Sequence, residues 1–267
     1  MKTIFVDNPS LKSLRKTQDL DKLQWIVSFD PLDQESIEYF ASKGIKLISY
    51  SDLLAKGKEK PVDYNDTKFK IQPEDCCTFS YTSGTTGPPK GAMMSHKNFA
   101  SLCTATQINK DFKVNNSDII LSYLPLPHIL ERSFLYVLWS VGGSVVYFNG
   151  DITKIKDDLA LVRPTVFASV PRLYTRFYDV IQAKFKDVHG YTKSALDYAI
   201  NTKMQAVKTT GTFTHPVYDK IFFNKTKMAL GGRCRFMLCG GAPLLPEVHN
   251  FMKIAMCCPL VEGYGQT

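Results

Sequence analysis

Short apolar, β-rich runs alternate with helical patterns along most of this chain, and no other feature constrains its fold as strongly. The runs fall at Trp25–Phe29, Lys46–Ser49, Cys77–Tyr81, Ile119–Tyr123, Ser144–Phe148, Thr165–Val170 and Arg235–Cys239. Ser95 stands where it can cap a helix over His96–Thr106. His128–Val141 reads as an apolar helix closed by Gly142 and Gly143, and Asp151–Val162 as an amphipathic helix stopped by Pro164. Pro171, at a tolerated first position, opens a helix running to about Phe185, and Tyr191–Val207 and Pro246–Met256 read as two more. Such alternation predicts an α/β fold of mostly parallel sheets covered by helices. The segment Leu54–Asp75 is polar and lysine-rich with two prolines, which predicts a linker or surface loop.

The loop Tyr81-Thr-Ser-Gly-Thr-Thr-Gly-Pro-Pro-Lys-Gly91 is the richest site signal. It gathers three glycines, four hydroxyl side chains and one lysine. Glycines let backbone N–H groups approach phosphate oxygens, Thr82, Ser83, Thr85 and Thr86 add hydroxyl donors, and Lys90 adds a compact positive charge. It differs from a Walker A loop, because Pro89 precedes Lys90 and Gly91 follows it. Paired prolines oppose a helix start, so the loop is expected to join two strands. The plainer reading is a flexible linker, which the prolines and the dense hydroxyls disfavour.

Composition excludes several classes. The net charge of +8 arises from 33 basic and 25 acidic residues, a balance that suits anionic small ligands. Clusters such as Lys56–Lys60 and Lys225–Lys227 read as solvated faces, and no RNA motif, zinc spacing or basic helix points to nucleic acid. The seven cysteines form no Cys-x-x-Cys pair, which favours neither zinc nor a disulfide framework and fits a reducing compartment. Cys76-Cys77 and Cys257-Cys258 fall in apolar runs and are expected to be buried. There is no signal-peptide pattern and no apolar run of 18 or more residues, so membrane attachment is not encoded in this segment.

Three further stretches stand out. Leu124-Pro-Leu-Pro-His128-Ile-Leu-Glu131-Arg132 rigidifies the approach to a histidine that would otherwise read as a satisfied core residue. Met237-Leu-Cys-Gly240-Gly241-Ala242-Pro243 ends a strand in a tight turn, and ligands of open parallel sheets bind at such carboxyl ends. Glu262-Gly263-Tyr264-Gly265-Gln-Thr267 holds an aromatic ring between glycines, open for stacking on a flat ring.

With these residues in view, the chain resembles the adenylate-forming superfamily. TSGTTGPPKG is similar to that superfamily's phosphate loop over ten consecutive positions. The stretches FNGDITKIKDDLALVRPTVFASVPRLYTRFYDVI and YDKIFFNKTKMALGGRCRFMLCGGAPL resemble eukaryotic-type long-chain fatty acid–CoA ligases. Helix packing alone would account for Leu159, Leu161, Leu173 and Phe177 within the first of them. The resemblance implies part of the large N-terminal domain of an adenylate-forming enzyme, with residues 1–75 a partial subdomain and linker and 76–267 the AMP-binding core. It implies that Thr82, Ser83, Gly84, Thr85, Thr86, Gly87 and Lys90 hold the ATP phosphates, and that Thr82, Lys90 and Thr267 serve catalysis. It further implies adenosine contacts from Gly241, Ala242, Pro243, Glu262, Gly263, Tyr264 and Gly265, and an acyl-pocket role for His128.

The activity so implied is ATP-dependent conversion of a long-chain fatty acid to acyl-AMP and then acyl-CoA, with Mg²⁺ and coenzyme A. A ligase for shorter acids and a short, non-catalytic nucleotide-binding relative are the alternatives. The resemblance also implies that the metal-holding glutamate lies after Thr267, and that a ribose-binding aspartate motif and a C-terminal lid domain lie beyond. The chain taken alone is therefore expected to be nearly inactive and poorly soluble. Location on the cytosolic face of a membrane, at the endoplasmic reticulum, is likewise implied by resemblance only.

Overall fold

Two units divide the chain, Met1–Ile71 and Gln72–Thr267. The structure, a computed structural model, describes residues 2–63, 70–82, 89–109 and 113–265.

The first unit is a three-stranded parallel sheet of β1 (Thr3–Val6), β2 (Trp25–Ser28) and β3 (Lys46–Ser49), in that order. Its helices are α1 (Asn8–Leu14), α2 (Gln34–Ser42) and α3 (Tyr50–Glu59). Each begins where a short polar side chain accepts the orphan amide of the first turn: Asp7 from Ser10, Asp33 from Ser36 and Ser49 from Asp52. Val6, Leu11, Ile26, Phe40 and Ile45 form its core. Helix α3 corrects the expectation that everything from Leu54 onward is linker. The Ser49 cap carries the helix through Glu59, although none of its residues is buried.

In the second unit, β4 (Cys76–Thr82) and β5 (Lys90–Ser95) form an antiparallel hairpin in register from Thr82↔Lys90 to Thr78↔Met94, with an irregularity between Cys76 and Thr78. The phosphate-type loop thus joins two strands, as its prolines predict. Of the four cysteines expected to be buried, Cys76 is exposed, Cys77 and Cys257 are half-buried and Cys258 is buried. Ser95 then caps α4 (His96–Ile108), and the Asn98 side chain returns the bond to the Ser95 amide in a reciprocal box.

β6 (Ile119–Ser122) and β7 (Ser144–Tyr147) pair in parallel across α5 (Ile129–Ser140). That helix ends as its two glycines predict. Gly142 adopts φ +73°, its N–H meets the Trp139 carbonyl, and the Gly143 N–H meets that of Leu138 at 2.8 Å. Parallel strands β8 (Val166–Ser169), β9 (Phe236–Gly240) and β10 (Leu260–Gly263) follow in the order β10-β9-β8.

Helices α6 (Ile155–Val162), α7 (Pro171–Lys186), α8 (Gly190–Thr210), the short α9 (Asn224–Lys227) and α10 (Pro246–Met256) complete the unit. α10 turns Val248, Phe251, Met252 and Ala255 into a core shared with Leu159, Phe167, Tyr174 and Met237. Leu161, by contrast, is 83% exposed, so packing accounts for Leu159 but not for its neighbour two residues on. A buried lysine is fully partnered: the Lys203 ammonium meets Asp219, the Ile254 carbonyl at 2.7 Å and the face of Phe223.

β6 is fastened to the β8–β10 sheet at its amino end. The Thr165 N–H donates to the Ile119 carbonyl (2.9 Å), and its hydroxyl donates to buried Asp118 (2.7 Å). Arg235, just before β9, grips the same carboxylate through two nitrogens.

Candidate functional site

Because β8, β9 and β10 are parallel, their carboxyl ends lie on one edge, where ligands of open sheets bind. Pairing of Gly263 with Gly240 sets the Gly263-Tyr264-Gly265 turn beside the Gly240-Gly241 turn. Gly241 has φ +89°, a conformation open to glycine but strained for other residues. A Cβ on Gly240 would stand 3.2 Å from both δ-carbons of Leu130, so a residue without a side chain lets α5 approach β9. The Glu262 carboxylate accepts the Leu244 N–H at 2.8 Å and ties the two turns together.

α5 closes the other side. His128 stands just before the helix and caps it, its Nδ1 accepting the Leu130 N–H at 3.3 Å. This corrects the expected helix start by one residue. Glu131 is buried beneath, where it accepts the Ser122 hydroxyl, and burial pushes its carboxyl above the usual carboxylate range.

Between these walls lies a cavity of about 450 Å³, within the range of small-molecule sites. His128, Gly241, Gly263, Tyr264 and Gly265 all line it, brought together from three distant segments. The Tyr264 ring is 91% exposed and free to stack. Ala242 and Pro243 sit exposed in the adjoining turn outside the lining, and Glu262 acts there through its bond to Leu244.

Sequence reasoning missed the wall that two helices supply: Leu102 and Thr106 on α4, and the apolar Leu130, Phe134 and Val137 on α5. Their spacing of three or four residues was the available signal, but it does not say which cavity a helix stripe faces.

The phosphate-loop hairpin is bound to the segment that carries His128. Ser80 donates to the Pro127 carbonyl at 3.3 Å, and the Arg132 guanidinium donates to the Thr78 hydroxyl. Lys90 opens β5 opposite Thr82. Ser83, Gly84, Thr85, Thr86, Gly87 and Thr267 lie outside the described residues, as does the Thr82 side chain. Among the described residues, no group of three His, Cys, Asp or Glu side chains could hold a metal ion. Nor, among them, is any helix long and apolar enough to cross a membrane.

The family model described as AMP-binding enzyme matches residues 1–267. The peroxisomal long chain acyl-CoA synthetase 6 of Arabidopsis thaliana is 42% identical over 227 residues, covering 85% of this chain and 31% of the relative. Long-chain-fatty-acid–CoA ligase 5 of Rattus norvegicus is 37% identical over 250 residues, covering 92% and 35%. The chain thus spans about a third of the length of these curated relatives. Among solved structures, the adenylation domain of a carboxylate reductase from Mycobacterium chelonae superposes with a TM-score of 0.71 at 22% identity, covering 100% of this chain and 40% of that one. At that identity the likeness speaks to the fold.

Proposed function

The chain belongs to the AMP-binding enzyme family, and we propose that it is part of a ligase that uses ATP to convert a long-chain fatty acid to acyl-AMP and then to acyl-CoA. The convergence of His128, Gly241 and the Gly263-Tyr264-Gly265 turn on one cavity, beside the hairpin that bears the phosphate loop, carries this reading. The relatives named as long-chain acyl-CoA synthetases support the choice of acid.

In this reading Thr82, Ser83, Gly84, Thr85, Thr86, Gly87 and Lys90 hold the triphosphate, and Thr267 meets the α-phosphate. Backbone from Gly241, Ala242 and Pro243 frames the adenosine with Glu262, Gly263 and Gly265, Tyr264 stacks on adenine, and His128 borders the acyl chain. The fatty carboxylate is ionised at neutral pH and attacks the α-phosphorus without a general base, displacing pyrophosphate. Catalysis is then positioning plus neutralisation of charge on the phosphates. The thiol of coenzyme A next attacks the acyl carbonyl and releases AMP. Magnesium would arrive with the substrate, as the counter-ion of the triphosphate. Two relatives are named as peroxisomal, and none of these names supports the endoplasmic reticulum.

Exchange of labelled pyrophosphate into ATP, measured on the intact protein across acids of increasing chain length, tests the reading. Exchange should depend on the acid and favour long chains, and Lys90→Met should lower it by roughly 10²–10³-fold. Exchange that is absent, or supported best by short acids, would refute it.

A further inference from the structure

The segment that brings His128 to the cavity is an exposed excursion on a buried foot. Pro125, Leu126, Pro127 and His128 are exposed, whereas Ser122 and Tyr123 before them and Glu131 after them are buried. At the foot the Ser122 hydroxyl donates to the Glu131 carboxylate and so clasps two residues nine apart in sequence. Two prolines stiffen the span between them. Its tip is held separately, to the phosphate-loop hairpin, by the Ser80–Pro127 and Arg132–Thr78 bonds.

Glu131 does not line the cavity, but His128, Ile129 and Leu130, which it follows directly, all do. The carboxylate can therefore reach a ligand only through the residues it holds. It is 3% exposed, and among the described residues it enters no ion pair. Burying a carboxyl group without a cation is costly, and an apolar side chain would fill the foot at lower cost. What the carboxylate adds is a directional bond that fixes how the span stands. We propose that Glu131 is a positioning residue for the acid: through Ser122 it sets the stance of the Leu124–His128 span, and with it the His128 side of the cavity. This deepens the ligase reading and rests on it, since that reading places the acid beside His128.

The test is pyrophosphate exchange on the intact protein, with KM for hexadecanoate and KM for ATP determined separately. Glu131→Leu and Ser122→Ala each break the clasp. Both should raise KM for the acid about tenfold and leave KM for ATP and kcat within about twofold; the serine variant serves if the leucine one misfolds. Glu131→Gln keeps an oxygen that can accept the Ser122 hydroxyl, and should return the acid KM to within about threefold of wild type. The Ser122→Ala, Glu131→Leu double variant should be no worse than the poorer single one, because both remove the same bond. Asp118→Asn, in a buried carboxylate outside the cavity lining, should lower stability and leave both KM values unchanged. Amide hydrogen exchange over residues 124–130 needs no activity, and should quicken at least about tenfold in Ser122→Ala with the β8–β10 amides unaffected. Acid and ATP KM values that rise together, a glutamine variant as poor as the leucine one, or unchanged amide exchange would overturn the proposal. Wild-type protein without acid-dependent exchange would sink the ligase reading, while the amide exchange would still decide whether Glu131 holds the span.

Discussion

Asp118 shows how much a single residue can decide. Its side chain is 1% exposed, and it accepts bonds from the Asn115 amide, the Thr165 hydroxyl and the Arg235 guanidinium, so it fastens β6 to β8 and β9 at once. Burial alone would raise its pKa, but Arg235 and the other donors outweigh burial and hold it below the usual carboxylate range. We expect Asp118→Ala to cost about 2–3 kcal/mol, below the roughly 3–5 kcal/mol of a fully buried broken pair, since the Arg235 side chain is 39% exposed and screened. A folded value below the unfolded one, about 3.9, places this contribution above that pH and removes it as pH falls through the folded value. Denaturant midpoints of wild type and Asp118→Asn should therefore converge on acidification below roughly pH 4. At the site, Gly241→Ala should cost about 1–2 kcal/mol by thermal unfolding, because φ +89° suits glycine alone while the space beside it is open.

At the scale of elements, helix ends set the geometry. α4 leaves directly from the hairpin strand, and its reciprocal Ser95–Asn98 box fixes the angle of departure. Ser95→Ala should lower stability by about 1 kcal/mol in chemical denaturation. α5 begins at a histidine cap and ends in a glycine pair, so both ends were visible in the sequence, though not the cap's role. A Cβ on Gly143 would come 2.3 Å from a δ-carbon of Leu138 and 3.2 Å from the Asp118 carbonyl. The helix therefore turns into β7 only through glycine. Short elements without a strong apolar run were harder to see. β10 is Leu-Val-Glu-Gly and α3 buries nothing, so neither periodicity nor hydrophobicity marks them, whereas the apolar Thr-Ile-Phe-Val of β1 did carry a strand signal.

For the whole molecule, the hairpin is the telling part. Its outward face exposes Phe79, Tyr81 and Met93, while Thr78 and Ser80 on the other face bond to the segment around His128. Apolar strand faces of this kind are usually covered. Since the curated relatives are about three times as long, we predict that the 267-residue chain by itself gives at most trace thioester formation and tends to aggregate. Size-exclusion profiles and coupled ATP and coenzyme A assays on this chain and on the intact protein check it. Robust activity of the short chain would count against the prediction.

The sequence by itself determined the alternation of strands and helices, the loop between two strands, and the three stretches worth watching. Those properties are local, since periodicity, caps, glycines and prolines act within a few residues. Only the tertiary structure decided that His128, Gly241 and Tyr264 share one cavity and that Glu262 joins two turns. Convergence of that kind depends on strand order and on which face each helix turns inward, and neither is written in any single stretch of chain.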